Sequence, residues 1–351
     1  MDIKDLLTQA IEKEASDFFI VVGRSISIRK KRKLEKLNDE TILPPTAEEL
    51  IRQIYSMAHR DINLLLSTGD DDFSFAIPSL SRFRVNCFRQ RGSLAAVIRI
   101  IRFDLPKPEV LNIPPYVMSL TKANRGMILV TGPAGSGKST TLACMIDEIN
   151  KTQQKHIITL EDPLEFLHRH NQSIVSQREV NLDTQSYVAA LRAALRQSPD
   201  VILLGEMRDY DTINVAMTSA ETGHLLLSTL HTLGAANTID RIIDVFPANQ
   251  QRQIAVQLSM VLHAVISQQL VPNIDGGVSL AMEIMTVTPA IRNMIRENKI
   301  PQIEGLIYSS AKEDLISMDQ SLLSLYQQKK ISADTAMRYA SNPEMLEKRL
   351  R

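Results

Sequence analysis

The sequence has no tryptophan and only two cysteines, Cys87 and Cys144, among its 351 residues. Two cysteines exclude a disulfide framework and a tetracysteine zinc site, and their scarcity favours a reducing compartment. Net charge is missing as well, since 40 Lys and Arg residues balance 40 Asp and Glu residues. We therefore expect no overall attraction to nucleic acid or to anionic lipid, so that any such binding would depend on local patches.

Long apolar runs are also absent from the sequence, which excludes a membrane-spanning helix. The first 18 residues have neither the cationic start nor the apolar core of a secretory signal. Their pattern predicts an amphipathic helix with Leu6, Leu7, Ala10 and Ile11 on one face. We therefore expect a cytoplasmic protein whose membrane association is peripheral and goes through a partner.

A chain of this length, 44% hydrophobic, predicts two domains. The proline-rich stretch from Asp104 to Pro115 discourages regular structure, as an interdomain linker would. We predict a first domain over residues 1–103, a linker over 104–118 and a second domain over 119–351.

Short apolar runs dominate the first domain, around one helix from Pro45 to His59 that Thr46 would cap. The strand-like runs are Phe18 to Val22, Ser25 to Arg29, Phe73 to Ile77, Arg82 to Phe88 and Leu94 to Ile101. This is an α+β pattern.

In the second domain strands alternate with helices, which predicts an α/β fold with a parallel sheet. A strand from Met127 to Thr131 and a helix from Thr140 to Asn150 begin the pattern. The later strand-like runs are His156 to Leu160, Val201 to Leu204 and Leu225 to Ser228. From Ala248 onward the pattern is mostly helical.

A phosphate-binding motif of the form G-x-x-x-x-G-K-[ST] lies between the first strand and helix. Its residues and the next one are Gly132, Pro133, Ala134, Gly135, Ser136, Gly137, Lys138, Ser139 and Thr140. Glycines let backbone N–H groups point at phosphate oxygens, and the helix start adds a positive end. Lys138 would contact the β- and γ-phosphates, and the Ser139 hydroxyl would coordinate Mg²⁺. The motif therefore predicts a site for ATP and Mg²⁺.

Two acidic strand ends accompany this motif. Glu206 follows an apolar strand within the segment Asp200 to Glu206. Gly205 stands where many P-loop enzymes carry a metal-binding Asp. Glu206 is therefore the candidate to position or deprotonate the attacking water and to help at the metal; a solvated loop glutamate is the alternative. Glu161 also follows a strand run, and it would share the metal or the water with Glu206.

Two histidines, His224 and His231, flank the strand-like run that begins at Leu225. They are candidate sensors of the γ-phosphate. A metal pair is the competing interpretation, but no Cys or acidic ligand joins them at a recognisable spacing. A buried, hydrogen-bonding histidine is the third alternative.

Together, four segments resemble the Walker A, Asp box, Walker B and His box of secretion-type traffic ATPases. They are TGPAGSGKSTTLA, ITLEDPLEF, VILLGEMRD and AETGHLLLSTLHT, and DFSFAIP and SRFRVNCF extend the likeness. The resemblance implies a homohexamer of two-domain subunits. Each would have a PAS-like N-terminal α+β domain followed by a RecA-like P-loop ATPase domain with a helical C-terminal part.

The segment Pro289 to Glu297 narrows the resemblance further. It is similar to the AIRNLIRE motif of the PilT-like ATPases that retract type IV pili, with Met294 in place of Leu. The likeness implies a motor for pilus retraction and twitching motility that works on an inner-membrane pilus platform protein. Within that family resemblance, His231 would read the γ-phosphate.

Arginines of the first domain are candidate arginine fingers. Strand alternation places Arg82 and Arg84 on one face and Phe83 and Val85 on the other. The family resemblance favours Arg82 and Arg99 as catalytic residues and leaves open which of them contacts the nucleotide; a solvated strand face is the alternative for both. One departure from the family is the basic run Arg29 to Lys33, most often a solvated turn.

Three other functions compete with retraction. An extension or secretion ATPase would use the same chemistry with the opposite mechanical output. A RecA-like nucleic-acid motor is disfavoured by the neutral charge and the lack of a recognisable base-stacking pattern. A catalytically weak paralogue in a mixed ring is the third.

Overall fold

The computed structural model describes residues 1–30, 33–78, 80–101, 105–310 and 312–350. The chain divides into two compact units, Met1–Asp104 with Glu165–Leu167, and Leu105–Leu164 with His168–Arg351. Residues 105–118, which were predicted to be linker, belong to the second unit, because Ile113 and Val117 are buried in its core.

The first unit contains one antiparallel sheet. Its strands are β1 Asp17–Ile20, β2 Ser25–Lys30, β3 Lys33–Thr41, β4 Asp70–Ile77, β5 Ser81–Gln90 and β6 Ser93–Ile101. In the described part of the unit they follow the order β3-β2-β1-β6-β5-β4. Its helices are α1 Ile3–Glu12, α2 Pro44–Met57 and α3 Asn63–Thr68. Within the predicted basic run, Lys31 and Arg32 lie outside the described residues.

The predicted strand positions of the first unit are confirmed. So is the face of α1: Leu6, Leu7 and Ala10 are buried, and Ile11 is half-buried against the same core. Strand β3 was not predicted, because only Leu37 along it is buried and its sequence has no apolar alternation. The predicted cap of α2 is wrong. The helix begins at Pro44, whose fixed φ suits the first helical position, and Thr46 lies inside it.

The second unit contains a larger sheet. Its strands are β7 Gly126–Thr131, β8 His156–Glu161, β9 Ile174–Glu179, β10 Val201–Leu204, β11 Leu225–Leu230, β12 Leu262–Pro272, β13 Val278–Thr286 and β14 Leu315–Ile316. Across the described residues the order is β14-β13-β12-β7-β11-β10-β8-β9. Every neighbouring pair from β12 to β9 is parallel, which confirms the predicted α/β fold with a parallel sheet.

Helices cover both faces of this sheet. They are α4 Pro115–Ser119, α5 Lys138–Thr152, α6 Tyr187–Ala194, α7 Tyr210–Glu221, α8 Ala235–Asp244, α9 Ala248–Val261, α10 Pro289–Arg296, α11 Pro301–Ser309, α12 Met318–Gln327, α13 Ala333–Tyr339 and α14 Pro343–Leu350. Alternate residues of β7 enter two separate cores: Met127 and Leu129 face one, Ile128 and Val130 the other. In the ranges that the structure describes, no helix is long and apolar enough to cross a membrane.

The C-terminal third departs from the prediction of a mostly helical segment. Residues from Pro289 onward are indeed largely helical, but β12 and β13 are long strands that extend the sheet beyond β7. β13 runs antiparallel to β12. The prediction failed because β12 is buried on both faces, so its sequence shows no strand-like alternation.

Candidate active site

Four neighbouring strands of the second unit end at one edge of the sheet, and a polar residue or loop lies at each end. The phosphate loop follows β7, His231 follows β11, Glu206 lies two residues beyond β10, and Glu161 ends β8. These four strands are adjacent and parallel in the order β7-β11-β10-β8. The carboxyl edge of such a sheet is where open α/β folds bind ligands.

The phosphate loop is curled against β12. Gly132 has φ of 137°, a conformation that is strained for any residue with a side chain. A Cβ at this position would lie only 2.2 Å from the backbone oxygen of Gln268 on β12. Helix α5 starts at Lys138, directly after the loop. The loop N–H groups and the helix start are therefore available to an anion.

Lys138 is held at the mouth of the loop. Its Nζ donates to the backbone oxygens of Gly132, at 2.9 Å, and Pro133, at 3.1 Å. The same Nζ lies 3.5 Å from Nδ1 of His231. Although Lys138 is charged, it is only 8% exposed, so the loop holds this cation in place. Phosphate oxygens could replace the two loop oxygens as its acceptors.

Glu206 is connected to this lysine through His231. Its Oε1 lies 3.0 Å from Nε2 of His231, and its Oε2 accepts from Nε of Arg208 at 2.8 Å. The carboxylate is 15% exposed, whereas Arg208 is 69% exposed. Lys138, His231, Glu206 and Arg208 thus form a continuous line of polar contacts across the sheet edge.

Tyr187 on α6 lies beside the acidic end of the site. The pKa of its phenol is raised by burial and then by the negative charges of Asp162, Glu161 and Glu206. All three carboxylates are therefore close enough to Tyr187 to act on it electrostatically. Glu161 and Glu206, predicted to work together, do lie at the same part of the site.

The packing around Gly205 accounts for the missing Walker B aspartate. A Cβ at position 205 would lie 2.8 Å from Oη of Tyr187 and 3.2 Å from the backbone oxygen of Leu160. Both contacts are closer than a Cβ ordinarily makes. A side chain at position 205 would therefore require Oη of Tyr187 and the backbone at Leu160 to shift.

The sequence profile of the family described as Type II/IV secretion system protein matches residues 1–348. The chain belongs to this family. It is 43% identical over 349 residues to the type IV pilus retractation ATPase PilT of Pseudomonas aeruginosa, a match that covers 98% of this chain and 99% of the relative. It is 50% identical over 276 residues to a twitching motility protein of Neisseria gonorrhoeae, which covers 78% of this chain and 74% of that one.

A solved structure is also similar over the whole chain. The crystal structure of the pilus retraction motor PilT with bound ADP matches with a TM-score of 0.91, at 45% identity and 99% coverage of both chains. The resemblance to traffic ATPases is thereby confirmed, as is the organisation into an N-terminal domain and a C-terminal ATPase domain. The PAS-like character of the N-terminal domain stays a prediction.

Of the two histidines in the His box of this family, only His231 lies at the site. His224 precedes β11, so the strand's six residues, roughly 20 Å, separate it from the phosphate-loop edge. Its Nδ1 instead lies 2.9 Å from the backbone oxygen of Ser219, at the end of α7. The interpretation of His224 as a γ-phosphate sensor is therefore wrong, because His224 lies at the edge of the sheet opposite the phosphate loop.

The two predicted arginine fingers lie in the first unit. The predicted alternation along β5 is confirmed, with Phe83 and Val85 buried and Arg82 half-buried. On β6, Nε of Arg99 donates to Oδ1 of Asp17 at 3.3 Å, and the arginine is 67% exposed. A role of Arg82 or Arg99 in catalysis stays a prediction.

Sequence reasoning missed three residues of the site: Tyr187, Arg208 and Gln268. Arg208 lies in the quoted segment VILLGEMRD and was within reach of a motif comparison. Gln268 is the middle one of three consecutive polar residues in the otherwise largely apolar segment from Leu262 to Val271, a pattern that signals a buried hydrogen-bonding role. Tyr187 leaves no local signal, because only folding brings α6 to the end of β10.

The side chains at this site fit a nucleotide that binds together with Mg²⁺ better than they fit a metal ion held by protein ligands alone. Among the described residues no group of three or more His, Cys, Asp and Glu side chains could hold a metal. At the loop, however, the buried hydroxyls of Thr131 and Ser136 have no hydrogen-bond partner among those residues. Buried polar atoms of this kind are ordinarily paired, so a polar ligand fits there.

Proposed function

We propose that this chain is an ATPase that powers the retraction of type IV pili. The observation that carries the proposal is the line of contacts from Lys138 through His231 to Glu206, at the mouth of a curled phosphate loop. The match to a relative named type IV pilus retractation ATPase supports it, because that alignment covers 98% of this chain.

The phosphate loop and the start of α5 bind the nucleotide. Backbone N–H groups of residues 134–140 surround the phosphates, and Nζ of Lys138 exchanges its two carbonyl contacts for phosphate oxygens. Ser139, Glu161 and Glu206 are the residues that would hold Mg²⁺. This ion would supply positive charge that neutralises the phosphates.

Glu206 orients the attacking water and accepts its proton. Two contacts, to His231 and Arg208, fix both carboxylate oxygens, so little reorganisation is needed during the reaction. His231 touches both Glu206 and Lys138, and a γ-phosphate bound by Lys138 would therefore alter the position of the base through His231. Arg82 or Arg99 supplies positive charge to the transition state.

Helix α10 supports retraction as the direction of work. Ile291 and Ile295 are buried, while Arg292 and Arg296 are exposed on the other side of the helix. The helix thus packs by one face and offers a basic face to a partner or to another part of the motor. This is the segment that resembles the AIRNLIRE motif of retraction ATPases.

The assembly that we propose is a homohexameric ring at the cytoplasmic face of the inner membrane. Its partner is the inner-membrane pilus platform protein, through which the ring associates with the membrane peripherally. The balance of 40 basic and 40 acidic residues supports a function without nucleic acid.

Steady-state ATP hydrolysis by the purified chain tests the chemistry. We expect Lys138→Ala and Glu206→Ala each to lower kcat at least about 100-fold without unfolding the chain. Lys151→Ala is the matched control, because Lys151 lies on the same helix, pairs only locally with Asp147 and is 58% exposed. Full activity in both site variants would contradict the site assignment.

Deletion of the gene in its own organism tests the direction of work. Loss of a retraction motor leaves cells that carry pili but do not twitch. Cells without pili would instead indicate an extension ATPase, and a secretion defect with normal twitching would indicate a secretion ATPase.

A further inference from the structure

Gln268 is a fully buried glutamine on β12 that contacts the phosphate loop. Its Nε2 donates to the backbone oxygen of Ser136 at 2.7 Å, and its Oε1 accepts from Oγ1 of Thr141 at 3.0 Å. Its own backbone oxygen closes the space beside Gly132. Both ends of the side-chain amide are thus used, one on the loop and one on the first turn of α5.

The bond to Ser136 determines the direction of one loop N–H group. In a planar trans peptide the C=O of one residue and the N–H of the next point in opposite directions. Since the oxygen of Ser136 points to the side-chain amide of Gln268, the N–H of Gly137 points away from that amide. A loop of this kind binds phosphate through backbone N–H groups that are directed at the anion.

We propose that Gln268 is a positioning residue of the phosphate loop, which it holds in its anion-binding conformation. The inference rests on the proposed function, because it assumes that this loop binds a nucleotide. Gln268 touches the loop and α5 rather than the substrate. Its effect on nucleotide binding therefore passes through the peptide between Ser136 and Gly137, which its Nε2 holds, and through Thr141 on α5, which holds the other end of the amide.

The next residue, Gln269, is a matched control. It is also a buried glutamine of β12, but its side chain points to the opposite face, where Nε2 donates to the backbone oxygen of Tyr339 at 3.3 Å. Gln269→Leu removes a buried glutamine hydrogen bond from the same strand without touching the loop. A loss of stability that both leucine variants share therefore reflects the loss of a buried hydrogen bond and not a change in the phosphate loop.

Titration calorimetry with ADP and steady-state kinetics with ATP test the proposal. We expect Gln268→Leu to raise the Kd for ADP by about 10- to 100-fold. KM for ATP should rise similarly while kcat stays within about 3-fold, because the loop binds phosphate in the ground state and the transition state alike. Gln269→Leu should lower the melting temperature and leave Kd unchanged. Gln268→Glu, which places a carboxylate oxygen against the oxygen of Ser136, should weaken ADP binding as Gln268→Leu does.

Native ADP affinity in folded Gln268→Leu would overturn the proposal, as would an equal loss of affinity in Gln269→Leu. If Gln268→Leu does not fold, Thr141→Val decides, because it frees the Oε1 end of the Gln268 amide. A rise in Kd of about 3-fold or more in that variant supports the proposal, and native affinity overturns it. If the unsubstituted chain binds no ADP, the proposed function fails and the inference fails with it. If the unsubstituted chain binds ADP and the Gln268 variants bind it equally well, only the inference is refuted.

Discussion

Replacement of Gly205 by alanine tests why this chain has no aspartate in its Walker B strand. The added Cβ would lie 2.8 Å from Oη of Tyr187, 3.2 Å from the oxygen of Leu160 and 3.4 Å from Cα of Glu161. Two of these three atoms belong to the backbone of the sheet and its end, and Tyr187 packs against the core of the second unit. Relief of the clash therefore requires movement of the Tyr187 side chain, and a smaller shift of the backbone at the ends of β8 and β10.

The expected cost follows from this geometry. Overpacking of one carbon into a packed site costs about 1–3 kcal/mol. For a unit of this size each kcal/mol lowers the melting temperature by about 2–4 °C, so we expect a fall of about 2–12 °C in Gly205→Ala. Because Glu206 is the next residue, we also expect kcat for ATP to fall about 10-fold. Calorimetry and steady-state hydrolysis measure the two effects.

A second substitution identifies the source of the strain. Tyr187→Phe removes the oxygen at 2.8 Å, so Gly205→Ala combined with Tyr187→Phe should recover most of the lost stability and activity. Gly305→Ala is the control: it lies inside α11, where a Cβ would meet nothing within 4 Å, and should be neutral or slightly stabilising. Normal behaviour of Gly205→Ala, or a defect that Tyr187→Phe does not relieve, would refute the explanation.

Two further predictions concern titratable groups. Burial lowers the pKa of His168, and burial together with the nearby Arg292 lowers the pKa of His263. In the unfolded chain the pKa of both histidines is near 6.5, so below about pH 7 the unfolded chain binds more protons than the folded chain. The folded state should therefore lose stability as the pH falls from about 7 to 5. Melting temperatures across that range check this, and His168→Asn with His263→Asn should flatten the slope. Burial also raises the pKa of Cys87 and of Cys144 to about 12. We therefore expect iodoacetamide to label neither thiol at about pH 8 until denaturant is added, and mass spectrometry showing labelling of the native chain would contradict this.

Local chemistry made much of the second unit predictable. The strand from Met127 to Thr131 and the helix after Lys138 appear within two residues of the predicted positions. Glycines, a lysine and a hydroxyl at fixed spacing specify a phosphate loop wherever strand and helix flank them. The carboxyl ends of the parallel strands followed from the same logic, which is why Glu161 and Glu206 were predicted to lie together; their roles in catalysis, like that of His231, stay predictions.

Other features were not readable from local sequence. Strand β12 is buried on both faces and shows no alternation, so the segment from Ala248 was taken as mostly helical. His224 and His231 looked equivalent beside one strand, although parallel strands place their two ends at opposite edges. The start of α2 was missed because Pro44, rather than the side chain of Thr46, sets its first turn.

By itself the sequence determined the class of chemistry, since a phosphate loop and its acidic partners depend on residue types at short spacing. Only the tertiary structure decided how those residues act together. The line from Lys138 to Glu206 joins residues that follow three different strands, Tyr187 crowds position 205, and Gln268 reaches the loop across 132 positions of sequence. Contacts of this kind are set by strand order and packing, which no local pattern of residues encodes.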